Sequence, residues 1–196
     1  MIVVLFGPPG SGKGTQAQRV AGRIGVPHIA TGDILRTEVA KGTPLGNEVE
    51  PIMRSGKLVS DDLIVRVIES RLNDPDAEPG ALLDGFPRTL AQARALDEML
   101  AGNTQRVDVV VSLLVPDETL RERMRKRAAA EGRADDAPET FERRLEVYRA
   151  ETEPVLGYYR TAGVRIDDVD GVGTIDEVTE RIAAALESTG RAMETA

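Results

Sequence analysis

Residues 2–15 read Ile2-Val3-Val4-Leu5-Phe6-Gly7-Pro8-Pro9-Gly10-Ser11-Gly12-Lys13-Gly14-Thr15, and Gln16, Val20, Ala21 and Ile24 follow at helical spacing. Five bulky or β-branched apolar residues bounded by Gly and Pro suit a strand covered on both faces. The glycines at 7, 10, 12 and 14 can take positive φ and let backbone N–H groups converge. A helix start then points its free donors at the same spot, and Lys13 adds a mobile charge. The stretch is a strand, a phosphate cradle and a helix. Its spacing fits G-x-x-x-x-G-K, except that Gly14 stands where a hydroxyl follows the lysine and Thr15 brings the hydroxyl one position late. The magnesium ligand of the general motif is therefore missing, and a carboxylate elsewhere has to compensate.

Working outward, Pro27-His28-Ile29-Ala30 reads as a short second strand. Thr31 is placed to cap the helix carrying Ile34, Leu35, Arg36 and Val39. A βαβα beginning implies a parallel sheet. His28 is the only histidine of the chain and has no cysteine or histidine partner, which favours a structural role. Residues 41–59 are punctuated by Gly42, Pro44, Gly46, Pro51 and Gly56 and read as a small helical lobe. Ser60-Asp61-Asp62 opens the next helix. Ala81-Leu82-Leu83-Asp84 is a second informative strand, ending in a carboxylate before the turn Gly85-Phe86-Pro87-Arg88. In an open parallel sheet, ligands gather at the carboxyl ends of strands, which aims Asp84 and Arg88 at the phosphate loop.

Thr89-x-x-Gln92 fits a capping box, and the same amide could equally read a base. Val107 to Val115 is the longest mostly apolar run, a central strand. Pro116-Asp117-Glu118 starts a helix with acids in its first turn. Arg123 and Arg127 share one face of that helix. A helix from about Pro138 to Val155 carries Arg143 and Arg144. Val164-Arg165-Ile166 is a last strand, 169–173 a turn, and Thr174 a cap. The polar tail from Ser188 has little to bury and is expected to fray.

Composition narrows the function. The 196 residues suit one domain, 30% of them are charged, and the formal net charge is -8. Such a chain has no general attraction for nucleic acid or an anionic membrane, so anionic substrates must be drawn by local cations. Those are nearly all arginine, the lysines being Lys13, Lys41, Lys57 and Lys126 only. Absence of cysteine excludes disulfides, thiol catalysis and a cysteine zinc site. No basic-then-apolar leader precedes the first strand, and a cytoplasmic location is expected.

Together, the phosphate loop, Thr31-Gly32-Asp33-Ile34-Leu35-Arg36, Asp84-Gly85-Phe86-Pro87-Arg88 and Arg133-Ala134-Asp135-Asp136 resemble the adenylate kinase family, in order and over nearly the whole chain. The resemblance implies an α/β P-loop fold of three layers, with a parallel five-stranded sheet flanked by helices. The core is expected over 1–30, 60–125 and 138–196, a nucleoside-monophosphate (NMP) lobe over 31–59 and a short lid over 126–137. It implies reversible transfer of the terminal phosphoryl group of ATP to AMP, giving two ADP. Further implications are Mg²⁺ as cofactor, held through water by Asp84 and Asp33, no zinc site, and a monomer.

Position by position, the family's ATP contacts fall on Gly10, Ser11, Gly12, Lys13, Gly14, Thr15, Arg123, Arg127 and the Gly173 backbone. Its AMP contacts fall on Thr31, Arg36, Lys57, Leu58, Val59, Gly85, Phe86, Pro87, Arg88, Gln92, Arg133 and Arg144. In the family Gln92 reads the adenine edge, and the catalytic cations correspond to Lys13, Arg88, Arg123, Arg133 and Arg144. The alternatives are a UMP/CMP kinase and a non-catalytic nucleotide-binding module.

Overall fold

The computed structural model describes residues 1–131 and 137–194, and within them the side chains of all but residues 131 and 188–194. Five strands, β1 (Ile2–Phe6), β2 (His28–Ala30), β3 (Ala81–Asp84), β4 (Val107–Leu114) and β5 (Arg165–Asp170), form one parallel sheet in the order β2-β3-β1-β4-β5. β1 lies at the centre because it is apolar on both faces. Ile2, Val4 and Phe6 enter one core cluster, whereas Val3 and Leu5 enter the other. The period of two along a strand makes that division obligatory.

Beneath Val3 and Leu5 lie α1 (Lys13–Ile24) and α9 (Ile175–Glu194), contributing Ala17, Val20, Val178 and Ile182. Across the sheet lie α4 (Asp61–Leu72), α5 (Leu90–Gly102) and α8 (Glu153–Thr161), which bury Ile64, Ile68, Leu96, Val155 and Tyr159 with Ile2 and Val4. That is the three-layer arrangement expected from the alternation of strands and helices. Between β2 and α4 the chain makes α2 (Thr31–Lys41) and α3 (Pro44–Arg54). These two helices touch so closely that a Cβ on Gly46 would sit 2.2 Å from the Glu38 carbonyl oxygen.

Between β4 and β5 run α6 (Asp117–Glu131), α7 (Pro138–Val147), a π-helical stretch (Tyr148–Thr152) and then α8. Leu120, Met124, Phe141 and Leu145 form a third cluster that joins α6 to α7. The single helix expected through Val155 is thus a helix with a π-helical insert. Pro154, within the first turn of α8, has no N–H to continue the regular ladder, and the wider turn absorbs the mismatch.

Other expectations shift locally. β5 extends to Asp170, so the turn begins later than residue 169. Past Ser188, α9 continues to Glu194. Ser60 and Thr31 do not cap as expected. The Ser60 side chain makes no capping hydrogen bond, and Thr31 is the first residue of α2 rather than its cap. Among the described residues no helix is long and apolar enough to cross a membrane.

Candidate active site

The loop after β1 is shaped by glycines in positive φ. Gly10 (φ 81°) packs so tightly on α6 that a Cβ would lie 3.0 Å from Met124 Cγ, and Gly12 (φ 93°) is the N-cap of α1. Gly14 departs from expectation, because it is an ordinary helical residue of α1 without positive φ. Its missing side chain matters for another reason: a Cβ there would come within 3.5 Å of Asp84 Oδ2. The carboxylate at the end of β3 therefore stands beside the position where the general motif carries its hydroxyl.

Lys13 curls back over the loop. Its Nζ donates to the carbonyls of Gly7 (2.5 Å) and Pro8 (3.0 Å). Burial pushes its ammonium down to about 8; Asp84 resists that change, while Arg88, Arg144 and Arg127 reinforce it. Burial opposes ionisation of Asp84 too, but His28, Lys13 and Arg88 outweigh it and hold the carboxyl below its ordinary value. His28 Nε2 lies 3.5 Å from Asp84 Oδ2. This neighbour has no local sign in the sequence, because β2 and β3 come together only in the sheet.

Two cavities flank the loop. One, about 280 Å³, is lined by Gly10, Ser11, Gly12, Thr15, Arg123, Arg127 and Gly173. Arg123 is fixed there by two carbonyls, donating from Nη1 to Ser11 (3.1 Å) and from Nη2 to Gly171 (2.9 Å). Ser11 is buried as a whole residue, and its carbonyl is covered by Arg123. The cap expected at Thr174 is present as a capping box, with Glu177 N–H on Thr174 Oγ1 (3.2 Å) and Thr174 N–H on Glu177 Oε2 (2.8 Å).

The other, about 600 Å³, is lined by Lys13, Gly14, Thr15, Asp33, Arg36, Asp84, Gly85, Arg88, Arg127 and Arg144. It continues into a narrow cleft between α2, residues 53–59 and the β3 turn. That cleft is lined by Thr31, Arg36, Lys57, Leu58, Val59, Gly85, Arg88, Gln92 and Arg144. Phe86 and Pro87 line the adjoining hollow, where the Phe86 ring itself is core and only 1% exposed. Residues not foreseen enter here: Val147, Tyr148 and Thr152, presented by the end of α7 and the π-helical stretch. Pro154 was the available signal.

Within the cleft Thr31 Oγ1 is buried without a hydrogen-bond partner. Such a group is costly unless a ligand satisfies it. Arg88 Nε donates to the Gly85 carbonyl (2.8 Å), and Arg36 pairs with Asp33. Thr89 caps α5 by accepting the Gln92 N–H (3.2 Å). The Gln92 side chain does reach back to backbone, accepting from Arg88 N–H (2.7 Å) rather than from the cap residue, and its Nε2 donates to Asp61 Oδ1 (2.7 Å). Both readings of this amide therefore remain compatible with its position, since it faces the cleft as well. Arg133 lies outside the described residues.

The set can do one thing well: gather several anionic groups at a helix N-terminus under arginines carried by α2, α6, α7 and the β3 turn. As to metals, Asp84, Asp33 and Thr15 line the larger cavity with oxygen donors, beside the single imidazole of His28. Oxygen donors suit a hard ion keeping most of its waters, such as Mg²⁺. Among the described residues no three acidic or histidine side chains group closely enough to form a protein-only cage.

Comparison with known proteins agrees with this architecture. A family model described as Adenylate kinase matches residues 5–164. The chain is 53% identical over 186 residues to an adenylate kinase of Xanthomonas euvesicatoria pv. vesicatoria (strain 85-10), covering 95% of this chain and 99% of that one. Over the same shares it is 52% identical to one of Xanthomonas campestris pv. campestris (strain 8004) and 50% identical to one of Xylella fastidiosa (strain M12). The matched span runs from β1 through α8 and takes in the phosphate loop, Asp84 and the arginines of α6 and α7, and the chain belongs to the adenylate kinase family.

Proposed function

We propose that the enzyme moves the terminal phosphoryl group of ATP to AMP reversibly, giving two ADP, with ATP over the phosphate loop and AMP in the cleft beside Gln92. The observation that carries this division is the convergence of Lys13, Arg88, Arg127 and Arg144 on one cavity that borders the phosphate loop and shares Arg36, Arg88 and Arg144 with the cleft beside Gln92. A transfer between two polyanions is opposed mainly by charge repulsion and misplacement. Cations arriving from separate elements answer both.

In this reading the loop N–H groups and Lys13 hold the β- and γ-phosphates. Arg36 and Arg88 hold the acceptor phosphate, with Arg36 leaving Asp33 to do so. Arg123, Arg127, Arg144 and Arg133 surround the group in flight. Arg123 is already oriented by its two carbonyl contacts, so little reorganisation is needed as charge develops. The acceptor phosphate is ionised at neutral pH and needs no general base. Lys57, Leu58, Val59 and the backbone of Gly85, Phe86 and Pro87 wall the cleft, and Thr31 Oγ1 finds its partner on AMP. Gly173 contributes backbone beside the nucleoside of ATP. Magnesium arriving with ATP would neutralise phosphate charge, and Asp84, with Asp33, would hold its waters.

Residues 31–59 act as the NMP lobe and 126–137 as the lid, although α6 runs without a break through Lys126 to Glu131. The enzyme works as a monomer in the cytoplasm. Support comes from its acidic, cysteine-free composition. A pure binding module would have no use for cations around the transferring group, and Gln92 with Thr31 favours AMP over UMP or CMP. The test is the reverse reaction: Mg-ADP alone should yield ATP and AMP in equal amounts by anion-exchange chromatography. Release of inorganic phosphate with AMP, or no change, would contradict the proposal.

A further inference from the structure

Gln92 is nearly fully buried, lines the cleft, and has its amide flanked by two groups of opposite hydrogen-bonding sense. On one side the Arg88 backbone N–H, which can only donate, reaches Oε1 at 2.7 Å. On the other Asp61 Oδ1 accepts from Nε2 at 2.7 Å. Rotating the amide by half a turn would set donor against donor and oxygen against carboxylate. The amide is thereby confined to one orientation by chemistry. Asp61 also accepts from Thr89 Oγ1 at 3.0 Å, and Thr89 Oγ1 in turn accepts the Gln92 backbone N–H at 3.2 Å, so the carboxylate grips Gln92 at both ends. Asp61 itself does not line the cleft and stands behind Gln92.

We propose that Asp61 is a positioning residue for base selection: it holds the Gln92 amide in the one orientation that matches a 6-aminopurine and mismatches a 6-oxopurine. This rests on the proposal that Gln92 reads the base of the acceptor. With two of its four hydrogen-bonding positions taken by Asp61 and Arg88, the amide keeps one N–H on Nε2 and one lone pair on Oε1. Adenine offers a ring nitrogen acceptor beside an exocyclic N–H donor, whereas hypoxanthine offers a ring N–H donor beside a carbonyl acceptor. A freely rotating amide could pair with either. A locked one pairs with the first and sets like against like with the second, and buried mispairing of that kind discriminates strongly.

The experiment compares AMP with inosine monophosphate as acceptor in wild type, D61A, D61N and Q92A, with melting temperatures alongside. Wild type should prefer AMP by several orders of magnitude in kcat/KM. In D61A that ratio should compress by roughly 10- to 100-fold, the effect expected from losing one charge-assisted hydrogen bond, mainly through a raised KM for AMP. Its kcat with AMP and KM for ATP should stay within about threefold of wild type. D61N keeps an acceptor oxygen for both donors and should restore the ratio. Should D61A not fold, D61S, too short to reach the amide, supplies the same comparison. A D61A enzyme with the wild-type ratio would overturn the role of Asp61. So would a fall in every parameter together with the melting temperature, which describes a purely structural residue. If Q92A also keeps the preference, the assignment of Gln92 itself fails; loss of preference in Q92A but not D61A overturns the Asp61 proposal alone.

Discussion

Lys13 illustrates how a single side chain carries several opposing influences. Its burial and three neighbouring arginines disfavour the charged form, one carboxylate favours it, and the result is an ammonium pushed down to about 8. ATP adds negative charge beside it and should draw its proton affinity back up. Binding of a nonhydrolysable ATP analogue at pH 8.5 is accordingly expected to take up a fraction of a proton, seen as a dependence of calorimetric heat on buffer ionisation enthalpy. Affinity should weaken as pH rises through about 8, where free Lys13 loses its charge, and K13M should abolish both effects. Asp84 shows the opposite linkage. Its folded value lies below the ordinary carboxylate range, so its stabilising contribution is complete above the unfolded value and disappears as pH falls through the folded one. D84N should flatten the acid limb of a stability–pH profile. Replacing Arg123 by Met removes a cation and two carbonyl contacts, and a loss of about 10- to 100-fold in kcat is expected from one charge-assisted interaction that tightens in the transition state.

At the scale of elements, what could be read in the chain depended on how local the cause was. β1, the loop and α1 were legible because the unbroken apolar run, glycine spacing and helix onset all lie within residues 2–24. The caps at Thr89 and Thr174 were legible for the same reason, since their partners are three residues away. Thr31 and Ser60 carried equally good local signals, yet their caps did not form: Ala30 is the N-cap of α2, and the first turn of α4 instead directs Asp61 to α5. The orientation of Gln92 and the pairing of His28 with Asp84 were invisible because each depends on residues brought together by the sheet and its covering helices. The π-helical stretch had a local sign in Pro154, but a proline can end, kink or widen a helix, and neighbours decide which. Packing of α2 on α3 gives a prediction at this level. G46A places a Cβ 2.2 Å from a backbone oxygen that has no room to yield, which should cost about 1–3 kcal/mol locally. Hydrogen exchange should quicken across residues 31–54 and KM for AMP should rise, with β1 and α1 unchanged.

For the whole molecule, water is a competing acceptor, so the site has to close before transfer. The arginines supply the reason to do so, because they ride on α2, α6, α7 and the β3 turn, and nucleotide phosphates bridge charges that otherwise repel. The chain contains no cysteine, so single cysteines can be introduced for labelling at the exposed positions Asn47 on α3 and Ala130 on α6. Energy transfer between dyes there should rise when ATP analogue and AMP are both present. If opening limits turnover, its rate should match kcat; opening far faster than turnover would remove that account of the rate. The claim on which everything else depends is that this ring of cations moves a phosphoryl group to AMP. Phosphorus NMR of the enzyme with Mg-ATP and, separately, AMP, UMP, CMP, GMP or no acceptor tests it most directly. ADP should appear with AMP alone and approach the same mixture that forms from ADP. ATP bound without transfer to any acceptor, or faster transfer to UMP or CMP, would contradict it.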